Sequence, residues 1–261
     1  MIYAKKSLGQ NFLIDKNIVR KIINTVEIKN KNIVEIGPGQ GALTDEILKN
    51  KPKTLFLIEK DYALTKELKL KYLKNKIVKV YHADVLKFDL EKILIKNSII
   101  FGNLPYNISS QILVKIIKFK KWAPNFEDLV LMFQRELGEK IIGKYSTSDY
   151  GRLSILTNYR LKIIKKFLIS PNCFKPKPKV TSMVIHFQPK KIDTGNIKKI
   201  HNLEKITNIL FSNKRKMINK NIKKILSLNK IKKISDLELS VRPSEIRPEM
   251  YYKITELFEK K

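Results

Sequence analysis

An Asn-Leu-Pro-Tyr tetrapeptide at residues 103–106 follows a short apolar run and carries groups that can hold an exocyclic amino group in place. The side-chain oxygen of Asn103 and the backbone carbonyl of Leu104 can both accept hydrogen bonds from one NH2 group. Pro105 restricts the turn, and Tyr106 offers a flat ring for stacking. The tetrapeptide therefore favours methylation of an adenine N6. An ordinary strand-to-helix turn uses the same residue types and stays an alternative.

A second motif, upstream of the first, predicts a strand, a glycine turn and a helix. The apolar run 32–36 leads directly into Gly37-Pro-Gly-Gln-Gly41, and residues 45–50 then have helical spacing. Glycines let the backbone approach a ligand closely, and a helix start presents unpaired N–H groups to it. Gly37 and Gly39 are therefore predicted to border a nucleotide-like cofactor.

Acidic residues follow the next two predicted strands. Glu59 ends the run that begins at Thr54 and lies 22 residues beyond Gly37, an offset at which an acid typically binds ribose hydroxyls. Asp84 follows the run 77–81, where open α/β sheets collect their ligands. We expect Asp84 to accept a hydrogen bond from an adenine amino group.

The glycine turn alone does not identify the cofactor. It also fits the G-x-G-x-x-A pattern of nicotinamide-binding folds, so a dehydrogenase is an alternative. The sequence has no evident group of hydride-transfer residues, and a dehydrogenase does not need a base-binding loop. Methyl transfer uses both motifs and is the preferred interpretation.

Five motifs follow one another over nearly the whole chain. They are Leu8-Gly-Gln-Asn-Phe-Leu13, Glu35-Ile-Gly-Pro-Gly-Gln-Gly-Ala-Leu-Thr44, Asn103-Leu-Pro-Tyr-Asn-Ile-Ser-Ser110, Tyr150-Gly-Arg-Leu-Ser154 and Phe174-Lys-Pro-Lys-Pro-Lys-Val-Thr-Ser182. Together they resemble the bacterial 16S rRNA adenine N6-dimethyltransferases, the KsgA family. The segments Lys214-Arg-Lys-Met and Arg242-Pro-Ser-Glu-Ile-Arg-Pro-Glu249 are similar to the C-terminal part of that family. Ser110 departs from the Thr of many relatives.

The resemblance implies S-adenosylmethionine as the methyl donor. It implies that the acceptors are two adjacent adenosines near the 3′ end of 16S rRNA, within the small ribosomal subunit or its precursor. Tyr106 is expected to stack on the adenine, and Phe174 is expected by resemblance to cover its other face. The donor-binding residues implied by the resemblance are Asn11, Leu13, Gly37, Glu59, Asp84 and Asn103.

Two other functions remain open. One is dimethylation of an adenine in large-subunit rRNA, because the related antibiotic-resistance enzymes share the glycine turn and a similar Asn-x-Pro-Tyr loop. The other is a ribosome-assembly factor with secondary methylation activity. The motif from Leu8 to Leu13, Leu104 and the Arg242-Pro-Ser-Glu ending favour the small-subunit type, and an intact set of donor-binding residues argues against loss of methylation.

The charge of the chain points to a polyanionic partner. Lys and Arg number 54 and Asp and Glu 24, which gives a formal net charge of +30, and RNA is the preferred partner. The chain has 47 Lys and 7 Arg, partly through AT-rich coding, so the few Arg are the more specific sites for forked or stacked contacts. The predicted RNA-binding residues are Arg135, Arg152, Lys214, Arg215, Lys216, Lys220, Lys223, Lys224, Arg242 and Arg247.

Alternating strand and helix signals predict an α/β fold, a Rossmann-like methyltransferase sheet with a small C-terminal all-helical domain. A helix begins after Asp15. Five strands are predicted at 32–36, 54–58, 77–81, 98–102 and 127–133, and a hairpin completes the sheet at 161–169 and 183–187. Four helical runs follow at 200–211, 217–228, 231–239 and 249–258.

These runs predict two domains. Residues 1–190 should form the S-adenosylmethionine-binding catalytic domain, and residues 191–261 a helical domain that docks rRNA. The second domain has a net charge of +10, which leaves +20 for the first. Both domains are therefore expected to contact RNA.

Other sequence features predict a cytoplasmic protein, and we expect it to act as a monomer. No run of about 18 uninterrupted apolar residues exists, and the N-terminal residues lack the apolar core of a signal peptide. Cys173 is the only cysteine and is predicted to be a small packing residue. His82, His186 and His201 are scattered and lack the spacing of a metal site, so no metal is predicted.

Overall fold

A computed structural model describes residues 5, 9–191, 197–234 and 236–260. Leu8, which opens the first of the five motifs, lies outside the described residues, as do five residues near the start of the predicted helical domain. The chain divides into two compact units. The first is Met1–Gly138 with Lys162–Pro189, and the second is Glu139–Leu161 with Lys190–Lys261.

A mostly parallel sheet forms the centre of the first unit. The strands are β1 (Phe12–Leu13), β2 (Asn32–Ile36), β3 (Thr54–Glu59), β4 (Val78–His82), β5 (Ser98–Asn103), β6 (Phe126–Gln134), β7 (Leu161–Ile169), β8 (Phe174–Lys175) and β9 (Ser182–Pro189). Seven strands form one sheet in the order β4-β3-β2-β5-β6-β9-β7, and β1 pairs with β8 separately. Strands β2 to β6 are parallel to one another, and β9 is antiparallel to β6.

Helices connect the strands of the first unit and make up most of the second. They are α1 (Lys16–Ile23), α2 (Ala42–Lys49), α3 (Tyr62–Lys71), α4 (Ser109–Ile117), α5 (Arg135–Ile142), α6 (Arg152–Arg160), α7 (Ile200–Phe211), α8 (Asn219–Ile222), α9 (Leu228–Lys232) and α10 (Pro248–Glu259). Asp15 caps α1, because its carboxylate accepts hydrogen bonds from the backbone N–H groups of Asn17 and Ile18. The predicted helix after Asp15 is confirmed.

Burial explains why the central strands have continuous apolar sequences. Ile33 on β2 and Phe101 on β5 are fully buried, as expected for a parallel sheet that is covered on both faces. Burying each such side chain contributes about 1.5–3 kcal/mol. Glu35 is the exception, a carboxyl group in the middle of β2 that is only 1% exposed.

The seven longer strands confirm the sequence prediction to within one or two residues. Strands β1 and β8 were not predicted, because two-residue strands leave no periodic pattern in the sequence. Their pairing opposes Leu13 to Phe174. It joins the segment before α1 to the Pro-rich segment that precedes β9.

The second unit differs from the helical domain that the sequence predicts. Residues 139–161, predicted to lie in the catalytic domain, belong to this unit. The physical reason is the packing of α6 against α10: the Tyr159 and Tyr252 rings are 4.8 Å apart, and the Tyr252 hydroxyl donates to the Ile155 carbonyl. The predicted helices at 217–228 and 231–239 are also shorter, reduced to α8 and α9.

A buried polar pair joins β6 to β9. His186 Nε2 lies 2.6 Å from Asp128 Oδ1, and Gln188 Nε2 donates to the same oxygen at 2.9 Å. Burial raises the pKa of Asp128, but the hydrogen bonds from His186 and Gln188 outweigh it and hold the pKa below its ordinary value of 3.8. The ionised carboxylate therefore stabilises the folded state.

We expect Asp128→Asn to lower the free energy of unfolding at pH 7 by about 1–3 kcal/mol, because the charged acceptor of two hydrogen bonds is lost. The folded-state pKa of Asp128 is depressed, so its contribution is present above pH 3.8 and disappears as pH falls through the folded-state value. Urea unfolding at pH 7 and at decreasing pH measures both effects. Asp89→Asn, at an exposed carboxylate, is the control, and equal midpoints for the two variants would contradict the assignment.

Candidate active site

A cavity of about 320 Å³ lies in the first unit, at the carboxyl ends of the parallel strands. Its volume falls in the range of small-molecule sites. The chain proceeds from β2 outward to β3 and β4 and then returns to β5 on the other side of β2. Ligands of open α/β sheets bind at such a switch point.

The glycine turn after β2 forms one wall of the cavity. Gly37 and Gly39 have φ angles of +68° and +58°, which L side chains rarely adopt. A Cβ atom on Gly39 would also lie 2.9 Å from the Phe12 ring. Both predicted glycines therefore line the cavity with bare backbone, as the sequence motif requires.

Glu59 at the end of β3 is oriented by backbone donors. Gly39 N donates to its Oε2 at 3.1 Å, and Asp61 N donates to its Oε1 at 2.8 Å. Burial raises the pKa of Glu59 above its ordinary value. Each carboxylate oxygen accepts up to two hydrogen bonds, so Glu59 retains the capacity to accept from ligand hydroxyls.

Asp84 lies after β4 on the wall of the same cavity. Lys60 Nζ is 2.8 Å from its Oδ2, and Leu86 N donates to its Oδ1. The hydrogen bond from Lys60 and that from Leu86 lower the pKa of Asp84, so the group is an ionised acceptor at neutral pH.

The amide of Asn103 is oriented by the N-terminal segment. Its Nδ2 donates to the Asn11 carbonyl at 3.1 Å. Because the amide nitrogen is engaged in this way, the amide oxygen is the atom that remains to accept a hydrogen bond. The part of the chain that the structure describes supplies no hydrogen-bond donor to Asn103 Oδ1 or to the Leu104 carbonyl. Both residues line the cavity, as do Asn11 and Leu13.

The Tyr106 ring is fixed at both ends. Its backbone follows Pro105, and its hydroxyl lies 2.6 Å from Ser182 Oγ at the start of β9. Ser182 is fully buried, and burial raises the pKa of Tyr106, so the phenol stays neutral. A partly buried ring in a set orientation on the cavity wall suits stacking of a planar ligand.

Phe174 has a different position from the one predicted. It is 3% exposed, belongs to the apolar core with Leu13, Val19 and Ile169, and does not line the cavity. Pairing of β8 with β1 turns its side chain into this core. Phe174 is therefore a packing residue in this structure, and the expectation that it covers one face of a base stays a prediction.

Four residues near the glycine turn were not predicted from the sequence. Glu35 and Asp45 line the cavity, Thr44 Oγ1 donates to Glu35 Oε2 at 2.7 Å, and the Tyr72 hydroxyl donates to Asp45 Oδ1 at 2.7 Å. A signal was present for Glu35, because it is the one charged residue in the apolar run of β2. Tyr72 lies at the end of α3, too distant in sequence for a local pattern to reveal.

The electrostatics of the cavity suit a cationic ligand. The carboxyl groups of Glu35, Asp45, Glu59 and Asp84 line it, together with the ammonium group of Lys60, in a chain whose net charge is +30. S-Adenosylmethionine combines a sulfonium cation with a ribose and an adenine. The donor set therefore fits this cofactor: carboxylates for the cation and the hydroxyls, and bare glycine backbone for close approach.

The ten predicted RNA-binding residues are all exposed. Nine lie in the second unit, and Arg135 lies in the first. Lys214, Arg215 and Lys216 occupy the loop between α7 and α8. The Arg247 guanidinium lies 5.7 Å from the centre of the Tyr145 ring, a cation–π contact.

Two further sequence expectations concern metal sites and cysteine chemistry. Among the described residues, no group of three His, Cys, Asp or Glu side chains is placed to hold a metal ion. Cys173 is buried in the core of the first unit, and burial raises the pKa of its thiol, which makes it a poor nucleophile.

No helix in the described ranges is long and apolar enough to cross a membrane.

A family of known proteins matches this chain along nearly its whole length. The model of the family described as ribosomal RNA adenine dimethylase matches residues 1–260. The chain is 42% identical to the ribosomal RNA small subunit methyltransferase A of Pelagibacter ubique, over 99% of this chain and 98% of that relative.

Two solved structures are similar to this chain over more than nine-tenths of its length. The dimethyladenosine transferase from Plasmodium falciparum has a TM-score of 0.78 at 25% identity, covering 93% of this chain and 95% of that one. The 23S rRNA methyltransferase ErmE has a TM-score of 0.66 at 23% identity, covering 96% of this chain and 100% of that one. This likeness shows the fold alone. The predicted Rossmann-like methyltransferase fold class is confirmed.

We expect Glu59→Gln to weaken S-adenosylmethionine binding by about 1–3 kcal/mol, because hydrogen bonds to a charged acceptor are replaced by weaker ones. Calorimetric titration of the folded variant measures the change. Glu67→Gln, on the outer part of α3 and outside the cavity, is the matched control. Wild-type affinity in a folded Glu59→Gln protein would exclude Glu59 from the donor site.

Proposed function

The chain belongs to the ribosomal RNA adenine dimethylase family, and we propose that it dimethylates N6 of two adjacent adenosines near the 3′ end of small-subunit rRNA. It is an S-adenosylmethionine-dependent rRNA adenine dimethyltransferase. The observation that carries the proposal for the site is the Asn103 amide, whose nitrogen is engaged by the Asn11 carbonyl so that its oxygen is left to accept from an amino group.

The chemistry depends on position more than on acid–base catalysis. Adenine N6 is a poor nucleophile because its lone pair is delocalised into the ring, and S-adenosylmethionine supplies an already electrophilic methyl group. In the first transfer Asn103 Oδ1 and the Leu104 carbonyl would hold both N6 hydrogens as the nitrogen becomes pyramidal, and in the second they would hold the one that remains. In each transfer an N–CH3 bond replaces the S–CH3 bond, and the methylated N6 loses one proton to solvent. Alignment of the reacting atoms then supplies much of the rate enhancement.

The Tyr106 ring offers a stacking surface to an adenine that has left its rRNA helix. A base that is methylated at N6 must leave its stack, and an aromatic side chain offsets part of the lost stacking energy. The hydrogen bond of the Tyr106 hydroxyl to Ser182 sets the plane of the ring before the base arrives. Less conformational entropy is then lost when the base binds.

The comparisons favour the small-subunit function over its alternatives. The 42% identical relative carries a small-subunit name over nearly the full length of both chains, whereas likeness to the 23S enzyme shows the fold alone. The acceptors and carboxylates of the cavity are all present. This argues against a pure assembly factor that has lost methylation.

We propose that the second unit docks the enzyme onto rRNA within the small subunit or its precursor. Nine of the ten predicted RNA-binding side chains lie in this unit and are exposed. Exposed cations that meet phosphates release counterions and hold the RNA without reading its sequence. We further propose that the enzyme acts as a monomer in the cytoplasm, where subunits are assembled.

Asn103→Ala should lower the methylation rate roughly 100-fold, comparable to loss of one preorganised transition-state hydrogen bond, while rRNA affinity changes little. Single-turnover kinetics on unmethylated small subunits, together with a binding titration, separates the two quantities. Asn75→Ala, outside the cavity, is the control. Equal losses of binding and rate would mean that the tetrapeptide is a docking element.

Replacing Lys214, Lys216 and Lys220 together with Ala should weaken binding to small subunits. It should also reduce the slope of log affinity against log salt by about 2 to 3, since three fewer phosphates are neutralised. A control triple replaces exposed lysines of the first unit, Lys66, Lys69 and Lys74. Equal changes in slope for the two triples would contradict docking by the second unit.

A further inference from the structure

Glu35 is an ionisable group that the proposed mechanism does not use. It lies on β2 between Leu57 of β3 and Phe101 of β5, is 1% exposed, and lines the cavity. A carboxylate at such a position is unfavourable unless it is paired or well hydrogen-bonded. Its charge state therefore depends on its neighbours and on what enters the cavity.

The neighbours of Glu35 supply only part of the hydrogen bonds that its carboxyl group can accept. Thr44 on α2 donates to Oε2 at 2.7 Å, and the described residues supply no donor to the other oxygen. Burial raises the pKa of Glu35 to about 8, against the lowering effect of the Thr44 hydrogen bond. Asp45 on α2 and Glu59 on β3 raise it further, and Lys71 at the end of α3 lowers it.

The other carboxyl groups near Glu35 already have protein partners. Asp45 accepts from the Tyr72 hydroxyl and from Lys71 Nζ, and Glu59 accepts from two backbone N–H groups. Lys71 Nζ is thereby engaged by Asp45 at 2.6 Å instead of neutralising Glu35. Of these three groups only Asp45 is paired with a cation, and Glu35 differs from Glu59 in having a single hydrogen-bond donor among the described residues.

We propose that Glu35 is a specificity-determining residue that releases a proton to solvent when the sulfonium donor binds, and that it thereby favours the donor over the product, whose thioether sulfur carries no charge. A cation in the cavity stabilises the carboxylate form through space. Methyl transfer removes the positive charge from sulfur. The carboxylate then loses its partner, takes a proton back from solvent, and the product is held less tightly. This inference rests on the proposed function.

The first test is calorimetry at pH 7 in two buffers of different ionisation enthalpy. The wild-type protein should release close to one more proton per S-adenosylmethionine than Glu35→Gln does, since a group with a pKa of about 8 is mostly protonated there. The ionisation of the donor itself is common to both proteins and cancels in the difference. S-Adenosylhomocysteine, the thioether product, should give a much smaller difference.

A second test uses the pH dependence of donor affinity. Deprotonated Glu35 binds the cation, so wild-type affinity should rise roughly tenfold between pH 6.5 and pH 8 relative to Glu35→Gln, and then level off. Thr44→Val removes the hydrogen bond that lowers the pKa of Glu35. In that variant the rise should move to higher pH.

Three outcomes separate the inference from the proposed function. Proton release that depends on Glu35, together with the shift in Thr44→Val, supports the inference. Donor binding with equal proton release in the wild-type protein and in a folded Glu35→Gln variant overturns the inference and leaves the proposed function intact. Failure of the folded wild-type protein to bind the donor overturns both.

Discussion

The pairing of β2 with β5 is the constraint on which the site depends. Ile36 lies opposite Gly102, so the glycine turn and Asn103 emerge side by side from the same edge of the sheet. A Cβ atom on Gly37 would lie 3.5 Å from the Asn103 carbonyl oxygen. The turn predicted to bind the donor and the tetrapeptide predicted to bind the base are therefore brought together by the register of two buried strands.

A set of long-range hydrogen bonds orients the polar groups at this edge. Asn103 is held by the carbonyl of Asn11, Glu59 by backbone N–H groups, and Tyr106 by Ser182, which is 76 residues away in sequence. Groups oriented in this way need little rearrangement when ligands bind, which is the condition for strong electrostatic stabilisation of a transition state. Glu35 differs, because its burial is only partly compensated and its charge is left to respond to the ligand.

The sequence predicted the parts of the molecule that depend on local pattern. Buried parallel strands give continuous apolar runs, so β2 to β6 were found, and residues at the ends of those runs were predicted to border the cavity. Burial of Phe174 depends on pairing with Leu13, and the placement of α6 depends on Tyr252, nearly a hundred residues later. Such contacts between distant segments leave no periodic signal, so neither could be found from the sequence.

The most direct test of the account is to map methylated bases in rRNA after unmethylated small subunits are incubated with the wild-type protein and S-adenosylmethionine. Mass spectrometry of the digested rRNA should find N6,N6-dimethyladenosine at two adjacent positions near the 3′ end, and large subunits treated in parallel should be unmodified. Dimethylation of large-subunit rRNA alone, or methylation at an atom other than N6, would contradict the account.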